Sequence, residues 1–199
     1  MISVIAFDYG GVIEIYKTDL IKEITDMLAI DKDTWFRAYF ASNYLFNTDE
    51  NTWEGVVSLV AKELGASESQ LARIQEIAES NKTNRMINTE LIDRIAGLKK
   101  QYKIAIISNY TKELRERLAS QNILDLFDEI VISGEVGYQK PQPEIFAVLC
   151  ERMNIPMSEL VFIDDTARSL EGAVAIGYTP ILYIDNKKLD VELTRVLEG

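Results

Sequence analysis

The sequence predicts an α/β fold, an open parallel sheet with a block of helices inserted after its first strand. Three observations carry this expectation. A short, mostly apolar and β-branched run, Ile2 to Phe7, stops at Asp8 just before the glycine pair Gly10-Gly11, as a strand buried on both faces does. From about Thr18 to Gln101 the apolar residues recur at helical spacing. Beyond Gln101, strand and helix alternate to the end, the pattern of β-α units.

Each element has its own signal. Thr18-Asp19 caps a helix with Leu20, Ile21, Ile24, Met27 and Leu28 on one face, and Asp33 is the expected cap of a second that carries Trp35, Phe36, Tyr39 and Phe40. Thr52-Trp53 opens a third, running through Val56, Val57, Leu59, Val60 and Leu64 to Gly65 as its C-cap. Ser67-Glu68-Ser69-Gln70 has the capping-box form ahead of Leu71, Ile74 and Ile77. Thr89 opens a fifth helix, with Leu91, Ile92, Ile95 and Leu98. Strands are expected at Lys103 to Ile107, Glu129 to Ile132, Leu160 to Ile163 and Pro180 to Ile184. Helices are expected at Leu114 to Leu118, from Pro143 through Leu149, at Leu170 to Ile176 and at Leu189 to Leu197, and a loop through Gly134 and Gly137 to Lys140-Pro141. The division this implies is a core of residues 1–14 and 89–199 and a helical insert of residues 15–88.

Composition narrows the chemistry. The chain has 199 residues, no histidine and one cysteine, Cys150, so imidazole bases, His-ligated zinc and thiolate metal clusters are out. Catalysis then rests on carboxylates, hydroxyls, lysine, backbone amides and a hard cation. The net charge of −11 is the wrong sign for tracking nucleic acid or an anionic membrane, and neither is expected as a partner. No apolar run is long enough to span a bilayer, and no basic-flanked apolar leader opens the sequence; with the lone cysteine, the expected compartment is the cytoplasm.

In open parallel sheets, ligands sit beyond the carboxyl ends of the strands. Here those ends carry Asp8, Ser108-Asn109, Lys140 one loop on from its strand, and the pair Asp164-Asp165. Singly, each is an ordinary turn, cap or solvated residue. Together they form one kit: a carboxylate nucleophile, carboxylates for an oxygen-ligated cation such as Mg²⁺, and a hydroxyl, backbone amides and a lysine for phosphoryl oxygens.

Phe7-Asp8-Tyr9-Gly10-Gly11-Val12-Ile13, Ile107-Ser108-Asn109, Lys140-Pro141-Gln142-Pro143 and Val161-Phe162-Ile163-Asp164-Asp165 resemble the four ordered motifs of the haloacid dehalogenase-like superfamily. The resemblance covers nearly the whole chain, and the stretch Gly137 to Phe146 is similar to a phosphatase-rich subgroup. It implies a Rossmann-like core, an alpha-helical cap over residues 15–88, and a Mg²⁺-dependent phosphatase acting on a small phosphorylated metabolite, a sugar phosphate among the candidates. Residue by residue, it implies that Asp8 is the nucleophile and a metal ligand, and that Ser108 and the Asn109 backbone hold the phosphoryl group. Lys140 bridges phosphate and Asp8, the Gly10 carbonyl and Asp165 bind Mg²⁺, and Asp164 supports the site. Tyr138 and Gln139 precede Lys140 in a loop expected to meet substrate. Tyr39, Phe40, Tyr44, Phe46 and Trp53 are expected mostly to form the insert's own core.

The sequence departs from the superfamily at Gly10, where its phosphatases usually carry a second Asp as general acid and base. Three readings stand open: another group, water or the substrate moves the proton; the substrate has a good leaving group, as an anomeric or acyl phosphate does; or the protein binds without turnover. Dehalogenase chemistry, in which Asp8 attacks carbon, is a further alternative, against which the Asp164-Asp165 pair argues. The oligomeric state is left open.

Overall fold

The computed structural model describes residues 1–42, 52–81 and 83–198. The chain divides into two compact units, Met1–Ile15 with Ile87–Gly199, and Tyr16–Met86.

The first unit is built on a five-stranded sheet. Its strands are β1 (Val4–Phe7), β4 (Lys103–Ser108), β5 (Glu129–Ile132), β6 (Leu160–Asp164) and β7 (Thr179–Leu182). They run parallel in the order β5-β4-β1-β6-β7. From β1 the chain builds outward through β4 and β5, then returns to the other side of β1 for β6 and β7. The order therefore reverses about β1, and its carboxyl end is the switch point where parallel sheets form a crevice. Two other short strands, β2 (Glu14–Tyr16) and β3 (Arg85–Ile87), form a separate two-stranded sheet that periodicity does not announce.

Alternation along the strands makes two apolar layers. Ile5, Phe7, Ile104, Ile106 and Ile163 face α5 (Thr89–Leu98), α6 (Leu114–Ser120) and α10 (Asn186–Glu198). Val4, Ala6, Ala105, Ile107 and Phe162 face α8 (Pro143–Met153), which presents Ile145, Phe146 and Leu149. Burial on both faces is why the strands read as continuous apolar runs.

The second unit is helical: α1 (Leu20–Leu28), α2 (Lys32–Ser42), α3 (Trp53–Glu63) and α4 (Glu68–Ser80), packed around Ile24, Trp35, Val57, Val60 and Ile74. The expected caps at Asp19 and Thr52 accept from the Lys22 and Gly55 amides, and Ser67 and Gln70 form the capping box. Of the aromatics expected in this unit's core, Tyr39 and Trp53 pack against it, as does Phe36, and Phe40 meets the Phe36 and Tyr39 rings. Tyr44 and Phe46 lie outside the described residues.

Three local expectations are corrected. Asp31, not Asp33, caps α2, because its carboxylate accepts from the Thr34 amide at 2.6 Å. Thr89 opens α5 as expected, and Asn88 before it is the cap, accepting from the Leu91 amide at 3.3 Å. The loop through Gly134 contains a one-turn helix, α7 (Ser133–Val136). The helix expected over Leu170 to Ile176 is split at Glu171-Gly172 into a 3₁₀ turn (Ala167–Leu170) and α9 (Ala173–Ile176). No helix among the described residues is long and apolar enough to cross a membrane.

Candidate active site

The strand register places the site. Phe7 pairs with Ile106 on one side and Ile163 on the other, so Asp8 follows β1 beside Asp164. The Asp8 amide donates to the Ile163 carbonyl at 2.8 Å, which carries the ladder one residue further. Ser108 closes β4.

Three donors converge on one oxygen of Asp8. The Tyr9 amide lies 2.7 Å from Oδ1, the Ser108 hydroxyl donates to it at 2.9 Å, and Lys140 Nζ lies 2.9 Å away. The Lys140 ammonium also donates to Asp164 Oδ2 at 2.6 Å, and it sits 5.4 Å from the centroid of the Phe162 ring. Lys140 is only 3% exposed and Asp164 is fully buried. Burial alone would push the ammonium's pKa down; the Asp164 and Asp8 carboxylates outweigh it and hold the group above the ordinary lysine range. Lys140 is therefore a buried cation held between two carboxylates.

The acidic pair divides its work. Both oxygens of Asp164 are engaged, one by Lys140 and the other by the Thr166 amide at 2.8 Å. Burial pushes its carboxyl up to about 6, a shift that Lys140 opposes and Asp8 reinforces. The Asp165 residue is exposed, yet protein atoms crowd its carboxylate, which rests on the backbone of Gly11. A Cβ on Gly11 would stand 2.2 Å from Asp165 Oδ2, and Gly11 has a φ of +81°. Both the close approach and the left-handed backbone thus require glycine there. Loss of hydration, followed by the neighbouring Asp164 and Asp8 charges, pushes the Asp165 carboxyl up to about 7. Asp8, Asp164 and Asp165 each present an oxygen within 4.8 Å of the others, a hard-oxygen donor set that suits a small divalent cation.

Asn109, the residue after β4, has a side-chain role beside the backbone role expected of it. Its side chain clamps the next loop: Oδ1 accepts from the Lys140 amide at 2.8 Å and Nδ2 donates to the Lys140 carbonyl at 3.2 Å. The motif's asparagine thereby sets where Lys140 starts, a long-range pairing that spacing does not reveal. Tyr138 is 42% exposed, and the half-buried Gln139 forms a turn with Gln142. Tyr9 and Glu14, near Asp8 in sequence, are instead held in a buried cluster with Arg117 and Gln121.

The fold and this constellation define a class. Residues 2–177 match the haloacid dehalogenase-like hydrolase family, and the chain belongs to it. Among curated proteins, it is 24% identical over 213 residues to the D-ribitol-5-phosphate phosphatase of Bacteroides thetaiotaomicron, with 100% of each chain covered. It is 25% identical to bifunctional epoxide hydrolase 2 of Rattus norvegicus over 98% of this chain but only 39% of that protein. Among solved structures, a family enzyme from Bacteroides thetaiotaomicron, crystallised with magnesium and inorganic phosphate, superposes with a TM-score of 0.61. That match has 20% identity and covers 95% of this chain and 99% of the other.

Proposed function

We propose that this hydrolase is a Mg²⁺-dependent phosphatase that acts on a small phosphorylated metabolite through an aspartyl-phosphate on Asp8. The observation that carries the proposal is the buried Lys140 ammonium, bonded to Asp8 and Asp164 beside the Asp165 carboxylate. The ribitol-5-phosphate phosphatase relative supports a sugar or polyol phosphate as the substrate class.

With Oδ1 of Asp8 held by three donors, the carboxylate does not rotate freely, and its other oxygen is presented in a defined direction. That oxygen attacks phosphorus, and the bond from phosphorus to the ester oxygen breaks. Lys140 and the Ser108 hydroxyl stabilise the charge on the phosphoryl oxygens. The ester oxygen takes a proton from water or from the substrate, because position 10 carries no side-chain acid. Water then attacks the phosphorus of the aspartyl-phosphate, which releases inorganic phosphate and restores Asp8. Asp8, Asp165 and the Gly10 carbonyl would hold Mg²⁺, with Asp164 as support. When bound, the cation neutralises phosphoryl oxygens and so reduces repulsion between the substrate and Asp8. The helical unit serves as the cap that selects substrate and excludes water.

The test is phosphate release from sugar, polyol, acyl and aryl phosphates, with and without Mg²⁺, against Asp8→Asn. Metal-dependent release that Asp8→Asn abolishes is expected. Folded protein that binds Mg²⁺ but releases no phosphate from any of them would favour a binding-only protein, the reading that Gly10 supports.

A further inference from the structure

We infer that Tyr9, Glu14, Arg117 and Gln121 form a positioning latch that fixes the direction of the Gly10 carbonyl. The inference rests on the proposed role of that carbonyl as a metal ligand. Glycine at position 10 gives the backbone more freedom than the family's usual aspartate would, so a ligand carbonyl there needs restraint from outside the residue.

The restraint runs through rigid peptide planes. The Gly11 amide donates to the Glu14 carbonyl at 2.8 Å. In a trans peptide that N–H and the Gly10 carbonyl lie in one plane and point in opposite directions. Holding the Gly11 N–H on Glu14 therefore aims the Gly10 oxygen the other way. On the preceding side, the Tyr9 carbonyl accepts from the Ile13 and Glu14 amides at 3.0 and 2.8 Å. Both peptide planes that flank Gly10 are thus referred to Glu14.

Glu14 is itself anchored. It is 2% exposed, a burial that a carboxylate tolerates only when paired. Arg117 Nη2 bonds Glu14 Oε1, and Arg117 Nε lies 2.9 Å from both that oxygen and the Tyr9 hydroxyl. The Tyr9 hydroxyl donates to Glu14 Oε1 at 2.9 Å and accepts from Gln121 Nε2 at 2.9 Å. Arg117 belongs to α6, the helix that follows the Ser108-Asn109 loop. The latch therefore ties the loop after β1, which begins at Asp8, to the helix that follows β4, the strand that ends in Ser108.

The experiment titrates Mg²⁺ alone into the full chain by calorimetry, beside denaturant unfolding of the same variants. Arg117→Met is expected to weaken Mg²⁺ binding by at least about tenfold, the range for residues that orient metal ligands. Arg117→Lys is expected to recover part of the loss. Leu118→Ala, on the apolar face of the same helix, is expected to lower stability without moving Mg²⁺ affinity. If Arg117→Met does not fold, Glu14→Gln combined with Arg117→Met removes both charges and gives the same readout. Unchanged affinity in the latch variants, or an equal loss in Leu118→Ala, would overturn the inference and leave the phosphatase proposal standing. A wild-type chain that does not bind Mg²⁺ would overturn that proposal, and the latch with it.

Discussion

Lys140→Met removes the charge at the centre of the site while keeping most of the side chain's length and volume. In the wild type the ammonium is 3% exposed and lies 2.9 Å from Asp8 Oδ1 and 2.6 Å from Asp164 Oδ2. The variant therefore leaves two buried carboxylates facing each other, with Asp165 in the same 4.8 Å cluster. Breaking a buried ion pair by deleting one partner costs about 3–5 kcal/mol. At roughly 2–4 °C per kcal/mol for a chain of this size, the midpoint of unfolding falls by on the order of 10 °C. The loss arises from uncompensated negative charge, which sets its pH dependence. Asp164 and Asp165 already titrate near 6 and 7 in the folded wild type, and removing the cation moves both higher. Unfolded carboxylates titrate near 4, so in the window from about 4 to 7 the folded variant binds protons that the unfolded chain does not. Its stability therefore rises as pH falls through that window, and Mg²⁺ restores more stability to the variant than to the wild type. Denaturant unfolding at pH 5.5 and 8, with and without Mg²⁺, reads all of this. A loss below about 1 kcal/mol, or one indifferent to both pH and Mg²⁺, would refute the reasoning.

Other outcomes follow from the same geometry. Gly10→Asp restores the missing acid, and is expected to raise kcat for alkyl phosphates by on the order of 10²-fold while leaving aryl and acyl phosphates nearly unchanged, as measured by phosphate release. Mg²⁺ affinity is expected to weaken by roughly tenfold per unit as pH drops below about 7, because Asp165 must lose its proton to bind; calorimetry at pH 8, 7 and 6 checks this. Gly11→Ala puts a Cβ 2.2 Å from Asp165 Oδ2 on a backbone at φ +81°. It is expected to cost about 1–3 kcal/mol in denaturant unfolding and to abolish Mg²⁺ binding in the titration.

Much of this architecture was legible because burial on both faces forces continuous apolar strands, and the residues that end them stand out as the first polar groups. Asp8, Ser108 and Asp164 are of that kind, and the parallel sheet brings them to one edge. Lys140 was legible only through its motif, since a lysine in a loop is ordinarily solvated; its burial depends on the Asn109 side chain that clamps its backbone across the sheet edge. The partition of the acidic pair was not readable from spacing. It depends on which oxygens Lys140 and the Thr166 amide claim, and on the Gly11 backbone against which Asp165 rests. The strands β2 and β3 were missed because three residues are too few to show a period of two. Nothing in the sequence around Glu14 marks it for burial. Its burial follows from Arg117, more than a hundred residues away in the chain, as the pair's separation of 103 records.

The stereochemistry of transfer tests the central claim most directly. A phosphate monoester made chiral at phosphorus by its oxygen isotopes, hydrolysed in isotopically labelled water, reports how many in-line displacements occur. An aspartyl-phosphate on Asp8 requires two, and predicts retention of configuration in the released phosphate. Inversion would mean that water attacks the substrate directly, and would contradict Asp8 as the nucleophile.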